Sequence, residues 1–212
     1  MPYAPPTRLV ADLFQQIKRV FGDESNAQLE NADLVMFTNS AIDEINYRNR
    51  VLKASATLPA VSGQAEYTFP TQNILQIEAL LFNGALVRNI SYAMALENYI
   101  GQMPETGNAD PLYWWEWAGN FTFWPTPATG TIRLDYTVRH TPVTGAPGEV
   151  IPLPDKFYND IIARVLQQGY ELDEQPELAN YQAQTFSTSL ANHAEEERAA
   201  QEMYYPIITL MD

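Results

Sequence analysis

The chain has no cysteine in its 212 residues. Disulfide frameworks, thiolate metal sites and cysteine nucleophiles are therefore excluded. Histidine is nearly as scarce, with only His140 and His193. Positive charge is sparse too: 12 Lys and Arg stand against 26 Asp and Glu, a formal net charge of −14. A protein that grips nucleic acid by its phosphates needs clustered basic residues, which this balance argues against. No run of about 18 apolar residues occurs, so no membrane span is expected. Met1-Pro2-Tyr3-Ala4-Pro5-Pro6 is not a basic leader followed by an apolar stretch, so no secretory signal is expected either.

What is present is foldable. Hydrophobic residues make up 46% of the chain and aromatics 12%, too rich for a disordered polymer. A chain of this size buries roughly 70% of its unfolded surface, enough to stand without metal or disulfide.

Periodicity divides the chain into three parts. In the first, Leu9, Val10, Leu13, Phe14, Ile17, Val20 and Phe21 recur at helical spacing. Thr7 is positioned to cap that helix and Gly22 to end it. A polar linker follows. Asn31 then caps a second helix with Leu34, Phe37, Ala41, Ile45 and Leu52 on one stripe. From about Ser55 to His140 the pattern is β-like. Ala65–Phe69 alternates, Ile74–Phe82 reads as a strand, and Asn83-Gly84 is a type I′ turn signal. Ser91 caps a short helix. Leu112–Trp117 and Phe121–Trp124 make a second hairpin, and Thr131–Arg139 alternates with Ile132, Leu134, Tyr136 and Val138 on one face. After Pro152-Leu153-Pro154-Asp155 a helix runs to about Leu172. Pro176 opens another helix, which carries Ala179, Ala183, Phe186 and Leu190 at seam spacing to about Glu202. The expected fold is α+β: an antiparallel helical bundle from residues 1–54 and 150–202, an inserted antiparallel β-domain at 55–149, and an extended tail at 203–212.

No G-x-S-x-G, P-loop or dinucleotide fingerprint is present. Both histidines read as structural or surface residues. Glu195-Glu196-Glu197 reads as a solvated helix face, because consecutive helical residues diverge by about 100° and do not converge on one ion. Neither metal nor cofactor is expected. A hydrolase built on spatially paired acids has no motif in its favour.

Two features suggest binding. Tyr113-Trp114-Trp115-Glu116-Trp117 concentrates aromatics, and alternation sets Trp114 on the face opposite Tyr113, Trp115 and Trp117. If one face is core, Trp114 is the exposed candidate, suited to stack on a sugar or anchor an interface. If both faces are covered within the protein, it is core. The other feature is the tail, where Tyr204, Tyr205, Ile207, Ile208, Leu210 and Met211 follow an acidic helix end. An apolar, strand-prone segment must dock, on its own chain or on a partner.

In their order and spacing, several segments carry a likeness. They are Asp33-Leu34-Val35 through Ala41-Ile42-Asp43-Glu44-Ile45-Asn46, Tyr67-Thr68-Phe69-Pro70 with the Asn-Gly turn beyond it, and Tyr113-Trp114. Phe123-Trp124-Pro125-Thr126-Pro127, the strand ending in Tyr136, Ile151-Pro152-Leu153-Pro154 before Phe157-Tyr158, and Tyr181 to Leu190 complete the set. Together the chain resembles the head-to-tail adaptor, or connector, proteins of tailed bacteriophages, in particular the tail-tubular adaptors. The resemblance implies a non-enzymatic virion protein at the portal vertex, assembled in the host cytoplasm. It implies a dodecameric ring that extends the DNA channel, with DNA passing unbound, and partners in the portal protein and a downstream tail or nozzle protein. It places portal docking on the 203–212 tail, and makes Thr106, Asn108 and Trp114 candidate portal-side or tail-side contacts. The Trp-rich hairpin leaves a carbohydrate-binding or receptor-recognition module as the alternative.

Overall fold

The computed structural model describes residues 5–22, 28–71, 73–100 and 109–204, the side chains of 200–204 excepted. In chain order the elements are α1 (Val10–Phe21), α2 (Asn31–Asn49), β1 (Lys53–Ala60), β2 (Glu66–Thr68), β3 (Ile74–Phe82), β4 (Ala85–Leu86), β5 (Arg88–Asn89), α3 (Tyr92–Asn98), β6 (Tyr113–Trp117), β7 (Asn120–Trp124), β8 (Gly130–Val138), α4 (Tyr158–Leu172) and α5 (Pro176–Tyr204). A 3-10 turn, Asp155–Phe157, leads into α4. The fold is thus mixed α+β, with five helices and two sheets among the described residues. It divides into a helical unit, Met1–Leu52 with His140–Asp212, and a β-rich unit, Lys53–Arg139. His140–Glu149, read from sequence with the β-rich middle, falls in the helical unit.

In the helical unit α1 turns Val10, Leu13, Phe14 and Ile17 inward and closes on Gly22, whose φ of 84° suits a residue without Cβ. Thr7 does not cap this helix. The cap is Leu9, which bridges to Val150, while Val10 N–H donates to Glu149 O. Thr7 lies two residues before that cap, and its N–H (2.9 Å) and hydroxyl donate to the Asp155 carboxylate instead. Asn31 errs the other way, lying one place inside its helix. Glu30 is the cap, in a reciprocal box with Asp33. α2 stops at Asn49, short of Leu52, because Arg50 turns left-handed (φ 50°) and the buried Asn46 side chain captures Leu52 N–H at 2.9 Å.

α4 packs against α1, α2 and α5. Ile161, Val165 and Leu166 meet Leu13, Ile42 and Ile45 in one core, each fully buried side chain contributing about 1.5–3 kcal/mol. Phe186 of α5 is buried with the Arg48 and Arg164 guanidinium carbons each 5.7 Å from its ring centre. Asn49 Nδ2 donates to Leu190 O at 3.3 Å, joining α2 to α5.

The β-rich unit has two four-stranded sheets, ordered β1-β8-β3-β4 and β2-β7-β6-β5. β1 alternates weakly, with alanine at three of its four inward positions (Ala54, Ala56, Ala60, and Leu58) and Pro59 near its end, so it is hard to mark in the sequence. It forms as the edge partner of β8, Lys53 opposite Thr137 through Ala60 opposite Gly130, and an edge tolerates the missing proline N–H. The Asn83-Gly84 turn (φ 49° and 85°) returns β3 into β4 as its residue types require. Gly130 is needed for space. A Cβ there would sit 2.6 Å from Asn83 Oδ1 and 2.8 Å from the Phe82 ring, while Asn83 Oδ1 is held by Thr131 N–H at 2.9 Å.

The expectation of a purely antiparallel β-domain is corrected by β5 and β6, which pair in parallel, Arg88 with Tyr113 and Asn89 with Trp114. A parallel pair needs a crossover, and α3 lies in that connection. The chain changes sheets within three residues: Val87 N–H bonds Leu80 O and Arg88 N–H bonds Leu112 O. Leu80, Phe82, Ile132 and Leu134 of the first sheet share a core with Phe121, Phe123 and Trp114 of the second. α3 covers the second sheet's other face, where Ala95 meets Trp115. The unit is three layers: sheet, sheet, helix.

Candidate interaction surfaces

The layering decides the fate of the aromatic hairpin. β6 and β7 pair Trp114 with Phe123 and Tyr113 with Trp124. Trp114 therefore points between the sheets and is only 5% exposed. Of the two readings open to this hairpin, the one with both faces covered holds, and Trp114 is core and not the exposed candidate contact. The face opposite Trp115 is not open, because a second sheet covers it while α3 covers Trp115. The exposed indole is Trp117, 58% accessible at the hairpin tip. Its ring stacks on Tyr92 of α3 with centroids 4.1 Å apart. Tyr92 and Leu96, one helical step apart, lie on the same side of α3. Leu96 and Ile100 are both exposed. Alternation found the two faces of this hairpin. It did not show that the chain would return to cover both.

Thr106, Asn108, Tyr205, Ile207, Ile208, Leu210 and Met211 lie outside the described residues, and Tyr204 is the last residue of α5. α5 has 29 residues against 15 in α4, about 43 Å against 22 Å at 1.5 Å per residue.

Among the described side chains of α5, the last inward ones form a polar knot. His193 Nε2 lies 3.2 Å from Asp160 Oδ2, its ring sits edge-on to Phe157 at 5.0 Å, and Glu197 reaches Lys156 at 3.3 Å. Glu197 thus corrects the reading of 195–197 as wholly solvated, for it is the member of the run on the core side of the helix. Burial pushes the Asp160 carboxyl above its ordinary value, against the pull of Ser189, His193 and Lys156. Ser189 and His193 both address the same carboxylate. A nucleophilic serine must instead hand its proton to the imidazole, so this is a clasp between helices and no triad.

His140 is a second tie. Asn39 Nδ2 donates to Val35 O and Val143 O, each at 2.9 Å, and Asn39 Oδ1 accepts Val143 N–H at 2.8 Å. That fixes the amide orientation, so His140 Nε2 donates to Oδ1 at 2.9 Å while Nδ1 faces Asp43 Oδ1 at 3.1 Å. Each imidazole is committed to neighbours inside the helical unit. Among the described residues no three His, Asp or Glu are grouped to hold a metal, and no helix is long and apolar enough to cross a membrane.

Charge is uneven. The helical unit carries 8 Lys and Arg against 19 Asp and Glu, a net of −11, and the β-rich unit 4 against 7, a net of −3. What the described surface offers is docking area and repulsion of anions, with no reactive constellation. In comparison with known proteins, a family model described as SU10 adaptor protein matches residues 8–208. No curated protein matches the chain.

Proposed function

Because the chain belongs to the SU10 adaptor protein family, a family of phage structural adaptors found in the virion, we propose that it joins the capsid portal to the tail. In this reading it is a head-to-tail adaptor of the tail-tubular type. Copies form a dodecameric ring beneath the portal at the head–tail junction and extend the DNA channel. The helical unit serves as the bundle that makes the ring body. The match over 8–208, which takes in both units, is the observation that carries the reading.

Three features support it. Twelve copies at −14 each present roughly −170 formal charges, which repel DNA and let it slide. α5 is nearly twice as long as α4, and in this reading its end presents the following segment to the portal. Tyr204, Tyr205, Ile207, Ile208, Leu210 and Met211 then supply the apolar docking tail for the portal, with Thr106 and Asn108 at a portal-side or tail-side face. The glycan-binding alternative relied on an exposed Trp114. That indole is buried, and Trp117, which is exposed, has one ring face covered by Tyr92.

Cryo-electron microscopy of the chain mixed with its portal tests the reading. A ring at the portal vertex is expected, and a chain that stays monomeric beside its portal overturns it. Deleting 204–212 should leave the far-UV spectrum and melting temperature nearly unchanged and abolish portal binding. A deletion that unfolds the protein would place the tail in its own core.

A further inference from the structure

Residues 178–194 contain no Asp, Glu, Lys or Arg, a run of seventeen in a chain that is 18% charged. They form the middle of α5, and the outward half of that helix is exposed. A helix face in water normally carries charged side chains opposite its apolar stripe. Here the outward positions are Tyr181, Gln184, Thr185, Thr188 and Asn192, which together with Ser189 line a shallow groove. Tyr181 is 64% exposed and Leu178 44%. The run ends abruptly at Glu177 on one side and Glu195 on the other.

We infer that this uncharged face of α5 seats a second copy of the chain, in a head-to-tail contact that closes a ring. The inference rests on the proposed adaptor reading and names the surface through which that ring is built. Charge selects the occupant. Each helical unit brings a net −11, so two copies meeting through acidic faces would have to desolvate like charges with no partner to offset the loss of water. The face without carboxylates is where identical acidic molecules can approach. Its polar hydroxyl and amide groups keep it soluble in the free chain and offer hydrogen bonds once covered.

Charge also selects the symmetry. Glu177 and Glu195 are eighteen residues apart, five turns, and so lie on the same side of the helix. A two-fold α5-on-α5 contact in antiparallel register would place Glu177 of each copy against Glu195 of the other. The face must then meet a different surface of its neighbour. Such heterologous contacts generate rings when the rotation closes.

The absence of native cysteine makes the test clean. Thr188→Cys introduces the chain's single thiol at an outward position, so folding should be unaffected by circular dichroism and melting. Maleimide labelling is followed in the free chain and in the ring, formed alone or on the cognate portal. The thiol should react about tenfold or more slowly in the ring. Thr188→Glu, folded by the same criteria, should weaken ring formation about tenfold or more. A ring in which position 188 labels as fast as in the free chain overturns this inference and leaves the adaptor reading standing. Protection on the portal together with normal ring formation by Thr188→Glu assigns the face to the portal and also overturns it. A wild-type chain that never associates, even with its portal, removes both.

Discussion

Two carboxylates in the helical unit respond to pH in opposite senses. Asp155 accepts the hydroxyl and N–H of Thr7 and the N–H of Arg8, and these hold its carboxyl below the usual range. A depressed folded-state value stabilises above the ordinary carboxylate value and is lost as pH falls through the folded one. Asp160 is the reverse, since its raised value makes the protonated form the better tenant and its favourable contribution fades as pH rises. Denaturant melts of Asp155→Asn and Asp160→Asn from about pH 3 to pH 7 should therefore diverge. The deficit of Asp155→Asn relative to wild type shrinks on acidification, whereas wild type gains on Asp160→Asn. Parallel curves would refute this assignment. Gly130→Ala, which forces a Cβ onto the Asn83 amide and the buried Phe82 ring, should cost about 1–3 kcal/mol by the same melts. Little of this was legible beforehand. Thr7 has a capping residue's chemistry, but its partner sits 148 positions away in sequence.

At the level of elements, strong local signals survived folding. Ile74–Phe82, the Asn83-Gly84 turn, the Ser91 cap accepting Met94 N–H at 3.2 Å, and Pro176 at the head of α5 all stand where their residue types place them. β1 stayed hidden because the apolar alternation of Lys53–Ala60 is carried mostly by alanine (Ala54, Ala56, Ala60, with Leu58), too weak to mark a strand until β8 pairs with it. The parallel β5–β6 pair stayed hidden because two residues are too few for a pattern. The place of Trp114 stayed open because period two separates faces without saying how many are covered. Trp114→Ala should accordingly act as a core deletion, costing about 3–5 kcal/mol, with portal or ring assembly at low temperature retained by whatever fraction stays folded. Unchanged stability with lost binding would restore it as a contact residue.

For the whole molecule, the family match and the acidic balance point to a part that works in company, and the helical unit holds most of that acidity. The candidate docking tail was visible in sequence as an apolar segment after acidic residues. The uncharged middle of α5 was visible too, as a gap in the charge pattern, but only the helix showed that its outward half faces water. One further consequence comes from the pairing of Lys53 with Thr137, which sets the incoming and outgoing strands of the β-rich unit side by side. A module whose two ends meet can be lifted out without tearing its host. Residues 53–139 produced alone should melt cooperatively with a β-type spectrum, and 1–52 spliced to 140–212 through a few glycines should stay helical. If either fragment is unfolded in isolation, the two halves depend on each other for stability. If both fold, the lineage has had a ready-made cassette to exchange while leaving its helical chassis untouched.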